Sequence, residues 1–329
     1  MAESPDVAMG HAATTGRPRS TTVRLMARLD VKGPNLIKGV QFDGHRVLGV
    51  PEEFAETYAR EGIDELIFQD TVASLYERNS LHEIVRRTAE RVFIPMTVAG
   101  GLRTLDDIAK CLRAGADKVA INTAAIARPE LLAEASRTFG AQSVVASLEV
   151  YRYADGRCGV WTDYGRQETG VDAFEWAERV VDFGVGEIML TSINREGTGR
   201  GFDLDLIAQV ARRVPVPVIA VGGAGNKDHL VTAVATGCAD AVAAASIFHY
   251  AYAQPVERPH MSFAERRLRM GEHIDSGNID FLNAGYGSYR AIPVTPTRIP
   301  EAKRHLEAGG VPTRPVDPAA VRSQQEANR

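Results

Sequence analysis

The segment "FAETYAREGIDEL" beginning at Phe54 returns as "WAERVVDFGVGEI" at Trp176 without a gap, matching Ala55 to Ala177, Glu56 to Glu178, Gly62 to Gly184 and Glu65 to Glu187. The same offset lays "IPMTVAGG" over "VPVIAVGG", pairing Pro95, Gly100 and Gly101 with Pro217, Gly222 and Gly223. One inserted residue later, Asn122 and Thr123 fall on Ala245 and Ser246. Self-similarity at a fixed spacing means that one structural unit has been used twice, which argues against two unrelated domains. The repeat sits inside a regular alternation. Eight short apolar runs, "RLMARLD", "ELIFQD", "PMTVAGG", "KVAINT", "VVASLEV", "EIMLTS", "VPVIAVGG" and "AVAAASIF", are separated by amphipathic helical stretches. Eight strand–helix units whose strands are apolar on both faces predict a closed (β/α)8 TIM barrel over residues 21–312 rather than an open doubly wound sheet.

Two stretches fall outside the alternation. Residues 251–298, polar and broken by Pro and Gly, form an insertion before the amphipathic run "IPEAKRHLEAGGV", which reads as the last helix. Residues 1–20 and 313–329 read as disordered tails, and the first of them lacks the apolar core of a signal peptide. No apolar run approaches the roughly 18–20 residues that span a bilayer. A formal net charge of -4 gives no basic signature for nucleic acid or an anionic membrane. Cys111, Cys158 and Cys238 are odd in number and form no CxxC pair, so neither a disulfide framework nor a zinc site is expected, and the cytoplasm is the expected compartment. No motif suggests a metal or an organic cofactor.

In a (β/α)8 barrel the reactive groups sit at the carboxyl ends of the strands. Asp30 ends the first strand in "RLDVKG", and the half-barrel repeat places it opposite Glu149 of "SLEVYR". Two carboxylates across a barrel mouth form a candidate acid–base pair when their surroundings push their proton affinities apart. The competing reading is that each caps a loop or pairs with a neighbouring cation. Glycine-bearing turns follow the third, sixth and seventh strands, and a small-residue run ends the eighth. Such turns let backbone amides converge on phosphate, although Gly in a βα turn is often geometry alone. Two matching sets in the two halves, around Gly101 to Asn122 and around Gly223 to Ser246, predict two phosphate sites and a long bisphosphate ligand, with Thr123, Gly222 and, in the turn after the sixth strand, Gly197 and Thr198 as further candidates. At the opposite end of the strands lie Arg24, Glu65, Lys118 and Glu187. On pattern alone they are either stabilising surface ion pairs or something more specific.

From about Thr22 to Tyr250, with the helix near Glu301, the chain resembles the cyclase subunit family of imidazole glycerol phosphate synthase. The motifs "LDVKG", "DELIFQDTVAS", "GADKVAINTAA", "GEIMLTS", "REGTGRGFDLDL", "GGAG" and "AAASIFHY" follow its order through all eight strands. The resemblance implies a histidine-biosynthesis enzyme of the lyase class. A glutaminase partner docks on the amino-terminal face, and ammonia passes through the barrel to a bisphosphorylated ribulosyl aminoimidazole carboxamide ribotide. By position, Asp30 and Glu149 would be catalytic, and Lys38 would belong to the mobile loop after the first strand. Asn122, Thr123, Gly197, Gly223, Ala245 and Ser246 would bind phosphate. Arg24, Glu65, Lys118 and Glu187 would gate the tunnel, and Asp117 would touch the glutaminase.

The departures gather at the active end. Glu149 replaces an Asp, Arg28 a Cys, Tyr164 a phosphate-contacting Ser and Ala99 a Gly, while Asn194 and Glu196 replace two aspartates. A buried guanidinium needs a carboxylate. Glu149 is the expected partner of Arg28, either lowering the proton affinity of Glu149 or leaving Arg28 to bind an anion of a different substrate. Arg28 and Tyr164 are therefore specificity candidates. Three other readings follow: a paralogue that uses channelled ammonia on a sugar or specialised-metabolite acceptor, a non-catalytic barrel that activates a glutaminase, and an isomerase of the sibling phosphoribosyl family.

Overall fold

A computed structural model describes residues 22–40, 42–72, 81–253 and 293–316. Eight parallel strands close into a barrel: β1 (Arg24–Lys32), β4 (Glu65–Asp70), β5 (Met96–Ala99), β6 (Lys118–Ile121), β7 (Val144–Arg152), β10 (Glu187–Ser192), β11 (Val218–Val221) and β12 (Ala241–Ala244). Each pairs with the next, β12 returns to β1, and β10 pairs with β7, so no edge is left open. The helices between them place their apolar faces on the outside of the barrel. The Leu204–Arg213 helix, for example, buries Leu206, Ile207 and Val210.

The period of two along each strand sorts side chains into two cores. Along β1, Leu25, Ala27, Leu29 and Val31 join the shell between strands and helices, while Met26 joins an inner cluster with Ile67, Val145, Met189 and Ile219. Arg24 lies below Met26 on the same inner face, and Arg28 and Asp30 lie above it. The barrel interior is thus apolar in the middle and charged at both ends, which is the layered packing expected of this architecture.

Two antiparallel hairpins occupy equivalent positions in the two halves. One, β2 (Asn35–Val40) and β3 (Asp43–Gly49), follows β1; the other, β8 (Cys158–Thr162) and β9 (Gln167–Asp172), follows β7. The eight-strand reading did not include these four strands, and they shape the mouth described below.

The barrel closes at its amino-terminal side by a second set of contacts. Thr313 bridges Val23, and Arg314 Nε donates to Asp64 Oδ1 at 2.9 Å, so the described chain is ordered past residue 312, where the sequence reading began the tail. Residues 1–21, 254–292 and 317–329 lie outside the described residues, and with them most of the expected insertion. Asp64 also accepts from Leu25 N at 2.8 Å and from Lys303 Nζ at 2.6 Å, and the Lys303 side chain is 1% exposed. Removing that carboxylate strands a buried ammonium. Asp64→Ala is expected to lower unfolding stability by about 3–5 kcal/mol, read as a fall in the urea midpoint at unchanged slope. His249 also serves the structure: it is fully buried, bonded to Tyr58 at 2.6 Å, and burial pushes it down to about 3, keeping it neutral.

Candidate functional site

At the amino-terminal end of the barrel, four side chains form a closed ring of alternating charge. Arg24 Nη1 donates to Glu65 at 2.8 Å and to Glu187 at 2.9 Å, and Lys118 Nζ donates to the same two carboxylates at 3.0 Å each. Burial works against the Arg24 charge, but the two carboxylates outweigh it and raise its proton affinity. The four residues come from β1, β4, β6 and β10, so the ring joins both halves of the repeat. Asp117 stands beside it, and its carboxylate accepts from Met96 N at 2.8 Å. Asp64 and Asp240 do the same for Leu25 and Val218. Asp117 therefore has a structural task in addition to any contact it makes.

At the carboxyl end, the two hairpins fold toward each other and divide the mouth. Phe42, at the tip of the first, packs on Tyr164, at the tip of the second, with ring centroids 4.2 Å apart, and Ile193 completes the cluster. Phe42, Asp163 and Tyr164 all have positive φ, at 65°, 53° and 58°. Non-glycine residues rarely occupy that region, and each costs on the order of 1–3 kcal/mol unless its surroundings enforce it. Such strain at the mouth marks it as a place where geometry is imposed.

One side of this divide is a cavity of about 340 Å³ lined by Gly101, Asn122, Thr123, Asp163, Tyr164 and Glu149, among others. Its walls are ready for an anion. Gly100 and Gly101 turn with φ of 101° and 73°, and a Cβ at Gly100 would meet the Asp70 carbonyl oxygen at 2.6 Å, so only glycine fits there. Asn122 Nδ2 donates to Trp161 O at 3.0 Å, while its buried Oδ1 has no partner among the described residues. The hydroxyl of Thr123 accepts from Asp163 N at 3.1 Å.

The other side is much smaller, about 20 Å³, lined by Arg28, Glu196, Gly197, Gly222, Gly223, Ala245 and Ser246 among others. The residues expected to hold phosphate are thus divided between the walls of two separate cavities of unequal size. Thr198 lines neither; its hydroxyl donates to Arg195 O at 2.7 Å. Lys38 lines neither but is buried beside the smaller one, bonded to Gly39 O and lying 3.3 Å from Glu196 Oε1.

The expected Arg28–Glu149 pair is not formed. Arg28 Nε donates to Asp30 Oδ1 at 2.8 Å, both side chains being almost fully buried. The reason is distance along the backbone: residues two apart on one strand face are neighbours, whereas Glu149 lies across the barrel. Glu149 Oε2 instead accepts from Gly165 N at 2.8 Å in the β8–β9 turn. Burial pushes Glu149 up to about 7, against the opposing pull of Arg28 and of the Gly165 amide. The anticipated lowering of its proton affinity is therefore reversed. The result is a pair of carboxyl groups in contrasting surroundings: Asp30 is bound to a guanidinium, and Glu149 is poised near neutrality at the wall of the larger cavity. Contrast of this kind is what separates an acid from a base in one site.

Phe42, Asp163 and Ser147, the last two lining the larger cavity, are not among the sequence candidates, and Glu196 is there only as a departure. The signal for the first two was the turn chemistry of "FDGHR" and "TDYGR".

Comparison with known proteins agrees with this geometry. Residues 24–254 match the family described as "Histidine biosynthesis protein". A Legionella pneumophila protein named imidazole glycerol phosphate synthase subunit HisF is 58% identical over 206 residues, covering 63% of this chain and 97% of its own length. Proteins of the same name from Streptomyces avermitilis and Mycobacteroides abscessus are 53% and 51% identical, covering 69% and 70% of this chain and 90% and 92% of theirs. With its closed eight-stranded barrel and a family match that runs from the first strand through the eighth, the chain belongs to the histidine-biosynthesis protein family, among the HisF cyclase subunits of imidazole glycerol phosphate synthase.

Proposed function

We propose that this chain is the ammonia-dependent cyclase of a glutamine-dependent imidazole glycerol phosphate synthase. It converts a bisphosphorylated ribulosyl aminoimidazole carboxamide ribotide and ammonia into imidazole glycerol phosphate and the aminoimidazole carboxamide ribotide. The observation that carries this reading is the carboxyl pair at the mouth. Glu149 is raised to about 7 and opens on the larger cavity, while Asp30, on the facing strand, is bound to Arg28. Ring closure requires protons to be taken from the incoming nitrogen and given to departing groups. A carboxylic acid near neutrality supplies the second, and a carboxylate paired with a cation supplies the first.

The turns at Gly101, Asn122 and Thr123 hold one phosphate, and those at Gly197, Gly222, Gly223, Ala245 and Ser246 hold the other. Lys38 closes on the ligand from the first hairpin. Ammonia enters at the opposite end, where the ring of Arg24, Glu65, Lys118 and Glu187 must part to admit it, and the glutaminase that supplies it docks on that face beside Asp117. Among the described residues no helix is long and apolar enough to cross a membrane, in keeping with a biosynthetic enzyme of the cytoplasm. No cofactor is required by this chemistry.

The test is incubation of the purified chain with the ribulosyl bisphosphate and excess ammonium salt, without a glutaminase, followed by mass spectrometry. Equal amounts of the two products are expected. A second reading, ammonia transfer to a different acceptor, draws on one feature of the mouth: Arg28 and Glu196 are among the residues that leave only about 20 Å³ where this reading expects the second phosphate. A folded chain that yields neither product would favour that reading over cyclisation.

A further inference from the structure

The Arg28 guanidinium is 3% exposed, and only part of it is satisfied. Its Nε is spent on Asp30, its plane lies 5.8 Å and 5.9 Å from the Phe42 and Tyr164 ring centres, and its Nη2 has no acceptor among the described residues. Leaving a buried, charged donor unpaired costs more than the roughly 1–3 kcal/mol of a neutral group. The same residue lines the small cavity, which has room for about one water molecule and no more.

Glu196 fills part of the same space without supplying that acceptor. Its carboxylate is 5% exposed, lines the same cavity, pairs with Lys38 at 3.3 Å and contributes to the field that holds the Arg28 charge. It also lies 3.5 Å from Phe42 N. A carboxylate thus sits against the buried Lys38 ammonium and within the electrostatic reach of Arg28, in a cavity lined by glycine turns and Ser246, in the half of the mouth equivalent to the open cavity. An anion already occupies the place that the repeat assigns to a ligand's anion.

We propose that Arg28 is a specificity-determining residue that binds the phosphomonoester end of the ligand in the smaller cavity, and that Glu196 holds this place in the unliganded chain until the phosphate displaces it. The assignment rests on the reading that the mouth takes a bisphosphorylated ligand. Exchange of a carboxylate for a phosphate gives Nη2 the acceptor it lacks and leaves Lys38 with an anion of higher charge. The planar fork of a guanidinium suits phosphate in a way that an ammonium does not. A site otherwise made of backbone turns, one hydroxyl and the Lys38 ammonium thereby gains a guanidinium that selects for the dianion.

Calorimetric titration of the full chain at fixed ionic strength tests this with three probes: inorganic phosphate and each of the two phosphorylated products. Glu196→Gln is expected to bind inorganic phosphate about tenfold more tightly at one of two sites, because the competing carboxylate is gone. Arg28→Lys is expected to weaken one product by about tenfold or more and to leave the other, held at Asn122 and Thr123, within about twofold. Unchanged phosphate affinity in Glu196→Gln, or an equal loss of both products in Arg28→Lys, would overturn the assignment. Should the natural chain take two inorganic phosphates but neither product, the substrate reading falls by itself. The Arg28 assignment is then decided by whether Arg28→Met takes one phosphate or two, one supporting it and two removing it.

Discussion

Asp30→Asn is expected to lower ammonium-dependent cyclisation by about 10²–10⁴-fold, the usual contribution of a positioned acid or base. The substitution also disturbs the fold locally, because Asp30 is the hydrogen-bonding partner of the buried Arg28 Nε at 2.8 Å. Breaking a buried pair from one side typically costs about 3–5 kcal/mol, since the surviving charge is left uncompensated. A loss of turnover in the single variant therefore has two explanations, and a second variant separates them. Asp30→Asn with Arg28→Met removes both charges, and buried pairs replaced by apolar groups of similar volume are often neutral in stability. The double variant should recover the urea midpoint of the natural chain while remaining as inactive as the single one. Recovery of turnover together with stability would mean that Asp30 serves to hold Arg28 and takes no part in proton transfer.

The distinction matters because the pair joins a catalytic candidate to a buried cation, and the sequence revealed it only in part. The repeat located Asp30, Glu149 and the four residues of the charged ring, since each sits at a strand end and strand ends are fixed by the alternation of apolar runs. Which groups then touch depends on side-chain reach. Arg28 found the carboxylate two residues along its own strand, not the one across the barrel. The hairpins were harder still. "FDGHR" and "TDYGR" place Asp and Gly, residues of turns by type, at or beside the two hairpin tips, but βα barrels lead one to expect a plain loop there. Nothing in the residue types of Phe42 or Tyr164 announces a positive φ, because that conformation is imposed by the packing of one hairpin tip on the other. The division of the mouth into cavities of about 340 and 20 Å³ follows from that packing and is likewise absent from the linear pattern.

Glu149→Gln should separate activity from stability. In the folded chain burial raises the Glu149 carboxyl from an ordinary 4.5 to about 7, so between those values the folded state holds a proton that the unfolded state has released. Stability contributed by this group is then present at low pH, falls as pH rises from about 4.5 to about 7, and is fully lost above. A displacement of that size corresponds to a destabilisation on the order of 3 kcal/mol at pH 8. The amide of Gln carries no charge and can still accept from Gly165 N, so the variant should unfold at higher urea than the natural chain at pH 8. The difference should disappear as pH falls below 4.5, where the carboxyl is protonated in both states. Turnover should move the other way, by about 10²–10⁴-fold at neutral pH. With free ammonia held constant, kcat/KM of the natural chain should decline as pH rises through about 7, as expected of an acid that must carry its proton. A rate that instead rises through that range would make Glu149 the base and Asp30 the donor. No stability gain in the Gln variant at pH 8 would show that the carboxyl is not held neutral by burial. A site that keeps a carboxyl group destabilised at working pH does so because the acid is needed there, which is why the amide should give the more stable protein and the worse enzyme.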